Sequence, residues 1–558
     1  MTTSTRSRLL GAALLVPCVL LLWLQPLLST RLPYQVDLLV HLRWSDQFLT
    51  ALRDGWLLPR WAYASFNGLG DPTFIYYQPL FYYITSAFSA LGLSQPAALL
   101  WGAAIPYLML GAVVYFAVLP RFEARRALAG ACFVMCCPVL YFLSVQMAAF
   151  PWSLSLPFSL LFILESTRQQ PRPARLAIVL CLLCLSHLLS AMIALFCTGL
   201  GRLVLEFPRR ANIKAHLAWG IGVALGLGLA CFFIYPAITQ LALINPTGWT
   251  DGPNFDWRRA FAFPTFTFAR YGLRWAACQW PLPVLALGMC LLALRGGSGQ
   301  ARRLAVVGLA ALVLGSELAY PLYAVFPPLQ KVQFPYRFMF VAAALGSAAL
   351  ALRLCEGAWG RWSRIDRAAA LALAGLYCLF ALYLQSDIYR HGQALQERTA
   401  YMQGRFGQPE YLPAVRGPNW KQYVADGKLE GECRRLGLRC EAVVQRTHAM
   451  SAVIEAPQAA SVRMPLFAFP AWSLTVDGQP QALHPDPDTG LPVVQLSPGR
   501  HTVALHWVGL PAEATGRRIS LVSLVLLMAL LAIEWRRRRT PDARLSGVGV
   551  PREEALTR

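Results

Sequence analysis

Long apolar runs alternate with short polar, arginine-containing segments along most of the chain. Many of these runs approach the roughly 20 residues that a helix needs to cross a bilayer. The candidate spans are residues 9–29, 97–119, 127–145, 149–165, 216–236, 280–295, 304–322, 336–354, 368–385 and 518–534. Because a single soluble core stops growing at roughly 250–300 residues, a chain of 558 residues with this pattern is expected to be a multi-pass membrane protein.

The first apolar segment resembles a signal peptide, since a basic start precedes a leucine-rich stretch. The apolar run continues to about Leu28, however, and no A-x-A-type cleavage site follows it. We therefore predict an uncleaved signal anchor, with residues 1–29 forming the first transmembrane helix.

The apolar region 175–206 is flanked on both sides by positive clusters, and both clusters favour the cytoplasm. A single crossing would put one of them on the wrong side. Two short helices, about 175–186 and 188–201, would satisfy both flanks, with Ser186 and His187 at the apex of a hairpin. With this hairpin every arginine cluster lies on one side of the membrane, and both termini are cytoplasmic. The transmembrane bundle then has about twelve helices: the first helix, the helices of residues 97–386 and the last helix.

Four regions are then expected outside the membrane: the first loop at 30–96, a second at 237–279, a short one at 323–335, and a domain at 387–515. Within the first loop, the aromatic run at 73–93 predicts an interfacial helix, because Tyr and Trp favour the membrane boundary. A spanning helix there is the alternative, and it would invert the topology of everything downstream. Residues 516–558 form the last transmembrane helix and a basic cytoplasmic tail.

Residues 387–515 change character from apolar to alternating. Polar helical sequence comes first, followed by short runs such as SAVIEAP, WSLTVDGQ and RHTVALHWV separated by turn signals. Asp477 and Gly478 predict a hairpin, and Pro498 and Gly499 predict another turn. The pattern predicts a small α/β-sandwich domain before the last helix.

Charge and cysteine usage add two expectations. The formal net charge of +22 comes from arginines clustered between apolar runs, as cytoplasmic loops require, so we do not expect nucleic-acid binding. Of fourteen cysteines, only Cys433 and Cys440 lie in the terminal domain. If that domain faces an oxidising periplasm, the pair is a disulfide candidate, and two free thiols are the alternative.

Acidic residues collect in the first loop, directly after the first helix. Asp37 lies about two helical turns past the end of that helix, His41 follows one helical turn later, and Asp71 stands in a Gly-Leu-Gly-Asp-Pro segment. A carboxylate at this position can act as a general base or help to hold a divalent cation. Asp37, His41 and Asp71 are therefore the candidate catalytic residues, although a solvated helix-end aspartate is the simpler alternative for Asp37.

Several cationic side chains are expected at the same face and could hold a lipid phosphate. Arg337 is the strongest candidate, because it begins a spanning helix where an unused charge would be costly and because guanidinium groups grip phosphate bidentately. Snorkelling toward lipid headgroups is the alternative for the arginines, and a satisfied structural role is the alternative for His187. The candidate donor-binding residues are Arg60, His187, Arg274, Lys331 and Arg337.

These motifs together resemble a known family. The pattern L-x-x-G-x-x-x-P-R-W, then G-x-G-D-P and an aromatic Y-x-P-L-x-Y-Y helix, resembles the first loop of the bacterial "6-pyruvoyl-tetrahydropterin synthase-related" family, akin to the YfhO-like proteins. LSHLLSA, LQKVQFPYRF, EYLPA and FPAWSLTVDG resemble its later motifs. More distantly, the chain is similar to C-class glycosyltransferases, which use polyprenyl-phosphate sugars.

The resemblance implies a mostly α fold with C-class architecture and a glycosyltransferase of the bacterial inner membrane. Asp37 would be the base, the donor a polyprenyl-phosphate-linked sugar, and the acceptor an envelope glycan, lipid or protein, with membrane lipids around the bundle. Many such enzymes carry a second acidic residue after the third helix, where this chain has only Gln146; no cofactor is certain and a divalent cation stays open. A transporter of lipid-linked glycans and a non-catalytic assembly factor are the alternatives.

Overall fold

A computed structural model describes residues 3–33, 36–206, 213–245, 256–262, 281–356, 362–395, 407–426 and 429–539. Most of these residues are helical. The helices, which we number α1 to α22, are Thr3–Ala13, Leu15–Ser29, Val36–Arg53, Thr73–Tyr76, Leu80–Ala90, Gln95–Val113, Ala124–Met135, Pro138–Tyr141, Phe150–Ser166, Pro173–Ser186, Leu188–Glu206, Ile213–Leu229, Cys231–Thr239, Pro281–Leu294, Gly299–Gly315, Tyr320–Val325, Pro327–Gln330, Phe338–Cys355, Arg364–His391, Trp420–Asp426, Leu429–Arg435 and Pro511–Arg539.

Among the described residues, 7 helical segments are long and apolar enough to cross a membrane. The number rises to 8 if α12 and α13, which meet at a bend of 74°, form one span. Three shorter apolar helices, α9, α10 and α14, accompany them. The protein is therefore a multi-pass membrane protein, and the predicted total of about twelve helices stays a prediction.

Arginine side chains hold several helix termini together at one end of the bundle, which we call the arginine end. Arg8 of α1 donates to the carbonyl oxygen of Leu119 at 3.0 Å, where the chain leaves α6 and its π-helical extension. Arg303 of α15 donates to the carbonyl of Thr167 at 3.2 Å, just after α9. Segments that are distant in sequence thus bring their basic residues to one end, as the clustering predicted.

The region 175–206 forms two helices that double back on each other. α10 begins near the arginine end, where the amide of Arg172 donates to Glu165 at 3.0 Å. The helix stops at His187, which has extended backbone angles and a ring 5.5 Å from that of Trp152 at the start of α9. α11 then returns, and Arg202 donates to a carbonyl at the end of α9. The break falls at the predicted apex.

The first loop is more ordered than its polar sequence suggests. Residues Val36–Arg53 form helix α3 with an apolar face that packs against α5 and α6. α5, Leu80–Ala90, has 11 residues, so it extends for roughly 16 Å, about half of a bilayer core. This length fits the predicted interfacial helix better than a spanning one.

The part of the chain that the structure describes also contains ten strands, β1 to β10: Arg31–Pro33, Gly392–Ala394, Arg439–Arg446, Ala449–Ala456, Ala460–Arg463, Trp472–Val476, Gln479–Gln481, His484–Pro485, Pro492–Leu496 and Gly499–Trp507. β1 pairs with β2 and so ties the first loop to the end of α19. β3-β4-β10-β6-β7 form one antiparallel sheet and β5-β9-β8 another. Alternate residues of both sheets contribute to one apolar core, as a sandwich requires.

Details of the terminal domain follow from local sequence. Asp477 and Gly478 both have positive φ and connect β6 to β7, which is the geometry of a tight hairpin turn. Cys433 and Cys440, with Cα atoms 6.1 Å apart, are joined by a disulfide between α21 and β3. The last helix begins at Pro511, ahead of the predicted boundary at residue 516.

Candidate active site

Helix α3 presents Asp37 and His41 one turn apart on the same side. The Asp37 side chain is exposed to solvent, yet the surrounding protein atoms desolvate its carboxylate and raise its pKa to about 6. The charge of Arg337 opposes this rise and the charge of Glu410 adds to it. The Asp37 carboxylate is therefore open to solvent, and its proton affinity suits a general base that works near neutral pH.

His41 is buried among aromatic side chains, one helical turn from Asp37. Its Nδ1 lies 2.9 Å from the Tyr82 hydroxyl, and its ring packs 5.5 Å from Phe150 and 6.0 Å from Tyr77. Burial lowers the pKa of His41 to about 3, so the imidazole is neutral at physiological pH. The buried, neutral ring of His41 therefore fixes the positions of Tyr82 and Phe150, which pack against it.

Arg337 lies directly before α18, and its charge acts on Asp37. The guanidinium donates to the carbonyl of Val332 at 2.9 Å. It also packs over the rings of Phe334 and Trp152, 4.7 Å and 5.2 Å from their centroids. These contacts hold a planar cation at the mouth of the bundle, where it can meet an anionic group.

Trp152 connects Arg337 to His187. The indole and imidazole rings are stacked, with centroids 5.5 Å apart and planes at 13°, and His187 Nδ1 lies 2.7 Å from the hydroxyl of Ser190. The structure thus brings Asp37, His41, Arg337 and His187 of the predicted set to one region.

Glu410 is a site residue that sequence reasoning missed. It lies in a short 3-10 helix, Pro409–Tyr411, and its charge raises the pKa of Asp37 although the two residues are far apart in sequence. Its Oε2 is buried and has no hydrogen-bond partner among the described residues. The neighbouring Tyr411 packs 5.7 Å from Trp44 and 6.4 Å from Tyr77. The EYLPA motif marked this segment, but nothing local connected it to Asp37.

Arg60 and Asp71 have structural partners instead. Arg60 is fully buried, and its Nε lies 3.2 Å from Glu513 at the start of the last helix. Its terminal nitrogens donate to the carbonyls of Phe74 and Phe232. Asp71 is also buried and accepts from the amide of Thr73 at 2.9 Å, while burial raises its pKa to about 7. Because neither side chain reaches solvent, we leave both out of the site proposed below.

The remaining candidates are less informative. Lys331 is exposed in the segment before Arg337, and Arg274 lies outside the described residues. Gln146 is the last residue of the π-helical turn after α8. It occupies the loop in which related enzymes carry a second carboxylate. In the part of the chain that the structure describes, no three His, Cys, Asp or Glu side chains form a group that could hold a metal ion, so we assign no metal ligands.

The arrangement combines two chemical capacities in one region. Asp37 can accept a proton and Arg337 can pair with a phosphate, while the rings of Trp152, Tyr77 and Tyr411 pack against neighbouring rings of the protein. Glu410 adds an unpaired carboxylate oxygen. These features suit proton transfer beside an anionic group.

Two solved structures show a weak likeness to the fold. The arabinofuranosyltransferase AftD from mycobacteria is 14% identical, with 92% of this chain and 40% of that chain covered and a TM-score of 0.43. A mutant form of the same enzyme is 16% identical, with 91% and 42% covered and a TM-score of 0.43. This chain therefore spans less than half of the length of AftD.

No protein-family model and no curated protein matches the chain. The resemblance to the YfhO-like proteins stays a prediction. At this level of similarity, the function has to be inferred from the residues around Asp37 and Arg337 themselves.

Proposed function

We propose that this protein is a membrane glycosyltransferase that moves a sugar from a polyprenyl-phosphate donor to an acceptor in the cell envelope. The observation that carries the proposal is that Asp37 lies within reach of the charges of Arg337 and Glu410, which are distant from it in sequence. Arg337 in turn packs over Trp152, whose ring stacks on His187 at the end of α10 that is remote from the arginine end. A bundle mouth of this kind is reached by a donor whose lipid stays in the bilayer while its sugar projects beyond it.

Arg337 would hold the donor phosphate. A guanidinium pairs with phosphate through parallel N–H donors, and the rings of Phe334 and Trp152 keep this cation in position before the donor arrives. As the bond between the anomeric carbon and the phosphate oxygen breaks, negative charge grows on the leaving phosphate. A fixed cation stabilises that charge without reorganisation.

Asp37 would activate the acceptor. The acceptor hydroxyl oxygen attacks the anomeric carbon, its proton passes to the Asp37 carboxylate, and polyprenyl phosphate leaves with the electrons of the broken bond. Attack from the face opposite the phosphate inverts the anomeric carbon. A base with a pKa of about 6 is deprotonated at neutral pH and still basic enough to take the proton.

Glu410 would tune this base. Its negative charge favours the protonated form of Asp37, which increases the driving force for proton transfer.

We assign the region around Asp37, Arg337 and Glu410 to the periplasmic side of a bacterial inner membrane. The arginine end then lies in the cytoplasm, because cytoplasmic loops carry the excess of arginine. Both termini are then cytoplasmic. This orientation makes Asp37 accessible to acceptors that are assembled outside the cytoplasm.

The test compares two substitutions on the same helix. Asp46 lies nine residues after Asp37 on α3, which is half a turn round and therefore on the opposite face. Membranes that contain wild type, Asp37→Asn or Asp46→Asn are incubated with a panel of synthetic polyprenyl-phosphate sugars labelled in the sugar, and label in the envelope fractions is counted. We expect Asp37→Asn to lower transfer by about 10²–10⁴-fold and Asp46→Asn to retain it.

Equal transfer by wild type and Asp37→Asn would reject Asp37 as the base. Transfer by wild type that does not exceed that of membranes without the protein would reject the enzyme, and an assembly role for the terminal β-sheets would replace it. Equal loss in both variants at normal protein yield would reject Asp37 as the specific base.

A further inference from the structure

A groove at the arginine end, remote from the proposed active site, has the composition of a lipid site. It has a volume of about 360 Å³ and lies between residues 6–14, along α1, and the first turn of α7. The residues that line it are Arg6, Ser7, Leu10, Gly11, Leu14, Ala124, Arg125 and Leu128. The cations lie at its mouth and the leucines continue along the helices toward the bundle centre.

The walls of this groove are fixed by a neighbouring arginine. Arg8 donates to the carbonyls of Leu119, Pro120 and Phe122, while the hydroxyl of Tyr115 donates back to the Arg8 carbonyl at 3.0 Å. These contacts fasten α1 to the end of α6 and its extension. The groove is therefore held open by the fold and does not depend on a ligand to form.

The two cations of the groove, in contrast, are unused within the protein. Arg6 and Arg125 are exposed, and neither has a hydrogen-bond or ion-pair partner among the described residues. Leu10 and Leu14, which lead away from them, are 61% and 51% exposed on a helix that qualifies as a membrane span. An exposed leucine on such a helix faces acyl chains, so the groove opens to lipid.

We propose that this groove binds one anionic phospholipid of the leaflet at the arginine end. The phosphate pairs with Arg6 and Arg125 and accepts from the Ser7 hydroxyl, and an acyl chain lies along Leu10 and Leu14. Charge complementarity selects an anionic headgroup, because a zwitterionic one would bring its own cation to the two arginines. The lipid would fasten the first helix to α7.

Native mass spectrometry of the purified protein in detergent tests this proposal. Phosphatidylglycerol and phosphatidylcholine with the same acyl chains are titrated separately, and bound lipid is counted. The test variant is Arg6→Gln with Arg125→Gln. The control variant, Arg121→Gln with Arg302→Gln, removes the same charge from exposed positions outside the groove.

We expect wild type and the control variant to retain phosphatidylglycerol in preference to phosphatidylcholine. The test variant should bind phosphatidylglycerol roughly 30-fold more weakly, the factor that two arginines near an anionic lipid supply together. Equal weakening in the control would mean that net charge alone attracts the lipid, and equal retention of both lipids would remove the anionic selectivity. Displacement of the lipid by millimolar inorganic phosphate would identify a site for free anions. Each of these three results would overturn the proposal.

Discussion

Replacing Glu410 with Gln should move the pH dependence of sugar transfer to lower pH. The Asp37 carboxyl has a pKa of about 6, and the charge of Glu410 is one of the causes that raise it from the ordinary 3.8. Glutamine keeps the size and polarity of the side chain and removes its charge. The transition should therefore move below 6, while desolvation, the largest cause, keeps it above 3.8.

The size of the effect follows from the fraction of Asp37 that carries no proton. For a base with a pKa of about 6, that fraction is roughly 0.9 at pH 7 and roughly 0.1 at pH 5, so the rate should fall about ten-fold between them. In Glu410→Gln, the same change of pH should cost less, because more of Asp37 stays ionised at pH 5.

The assay measures kcat/KM for transfer from a labelled polyprenyl-phosphate sugar between pH 5 and pH 8, since this ratio reports the pKa of the free enzyme. Asp46→Asn serves as the control and should keep the wild-type transition. Rates are normalised to folded protein at each pH. A flat wild-type profile, or a Glu410→Gln transition at higher pH than wild type, would refute the assignment of Asp37 and Glu410 as an interacting pair.

Three further predictions concern stability. Arg60→Met or Glu513→Gln alone should lower the free energy of unfolding by about 3–5 kcal/mol, because each leaves a buried charge unpaired. Thermal unfolding in detergent should show a smaller loss of stability when both residues are replaced by apolar ones. Asp71→Asn should keep the thermal midpoint at neutral pH, since an amide oxygen can still accept from the helix amide and no charge is buried; a fall of the midpoint comparable to that of the ion-pair variants would contradict this. Cys433 and Cys440 should appear as a linked pair by mass spectrometry without reduction, and their loss should cost at most about 2–3 kcal/mol; labelling of both as free thiols would exclude the bond.

The parts of the fold that depend on local sequence could be predicted well. A helix in lipid must pair its backbone hydrogen-bonding groups within the helix, so apolar length alone locates segments such as 335–355 and 364–391. The break at His187 followed from the same rule, because arginine clusters on both sides of one apolar stretch demand a return.

The composition of the site could be predicted only in part. Arg337 was identified because it begins an apolar span, where an unused charge is costly. Asp37 was identified because His41 and the Gly-Leu-Gly-Asp-Pro segment follow it in a pattern that resembles the first loop of a known family. Glu410 was missed, since its proximity to Asp37 depends on how the terminal segment folds back over the first loop. Arg60 was considered for the donor because no local signal shows that Glu513 neutralises it.

The most direct test of the account separates donor binding from chemistry in two variants of the purified protein. Donor affinity is measured with a labelled polyprenyl-phosphate sugar, and turnover is measured under saturating donor. The account predicts that Asp37→Asn keeps the donor affinity of wild type and loses about 10²–10⁴-fold in turnover, whereas Arg337→Gln weakens donor binding by roughly 10–100-fold. Unchanged turnover in Asp37→Asn together with unchanged donor affinity in Arg337→Gln would contradict the claim that these two residues form one glycosyl-transfer site.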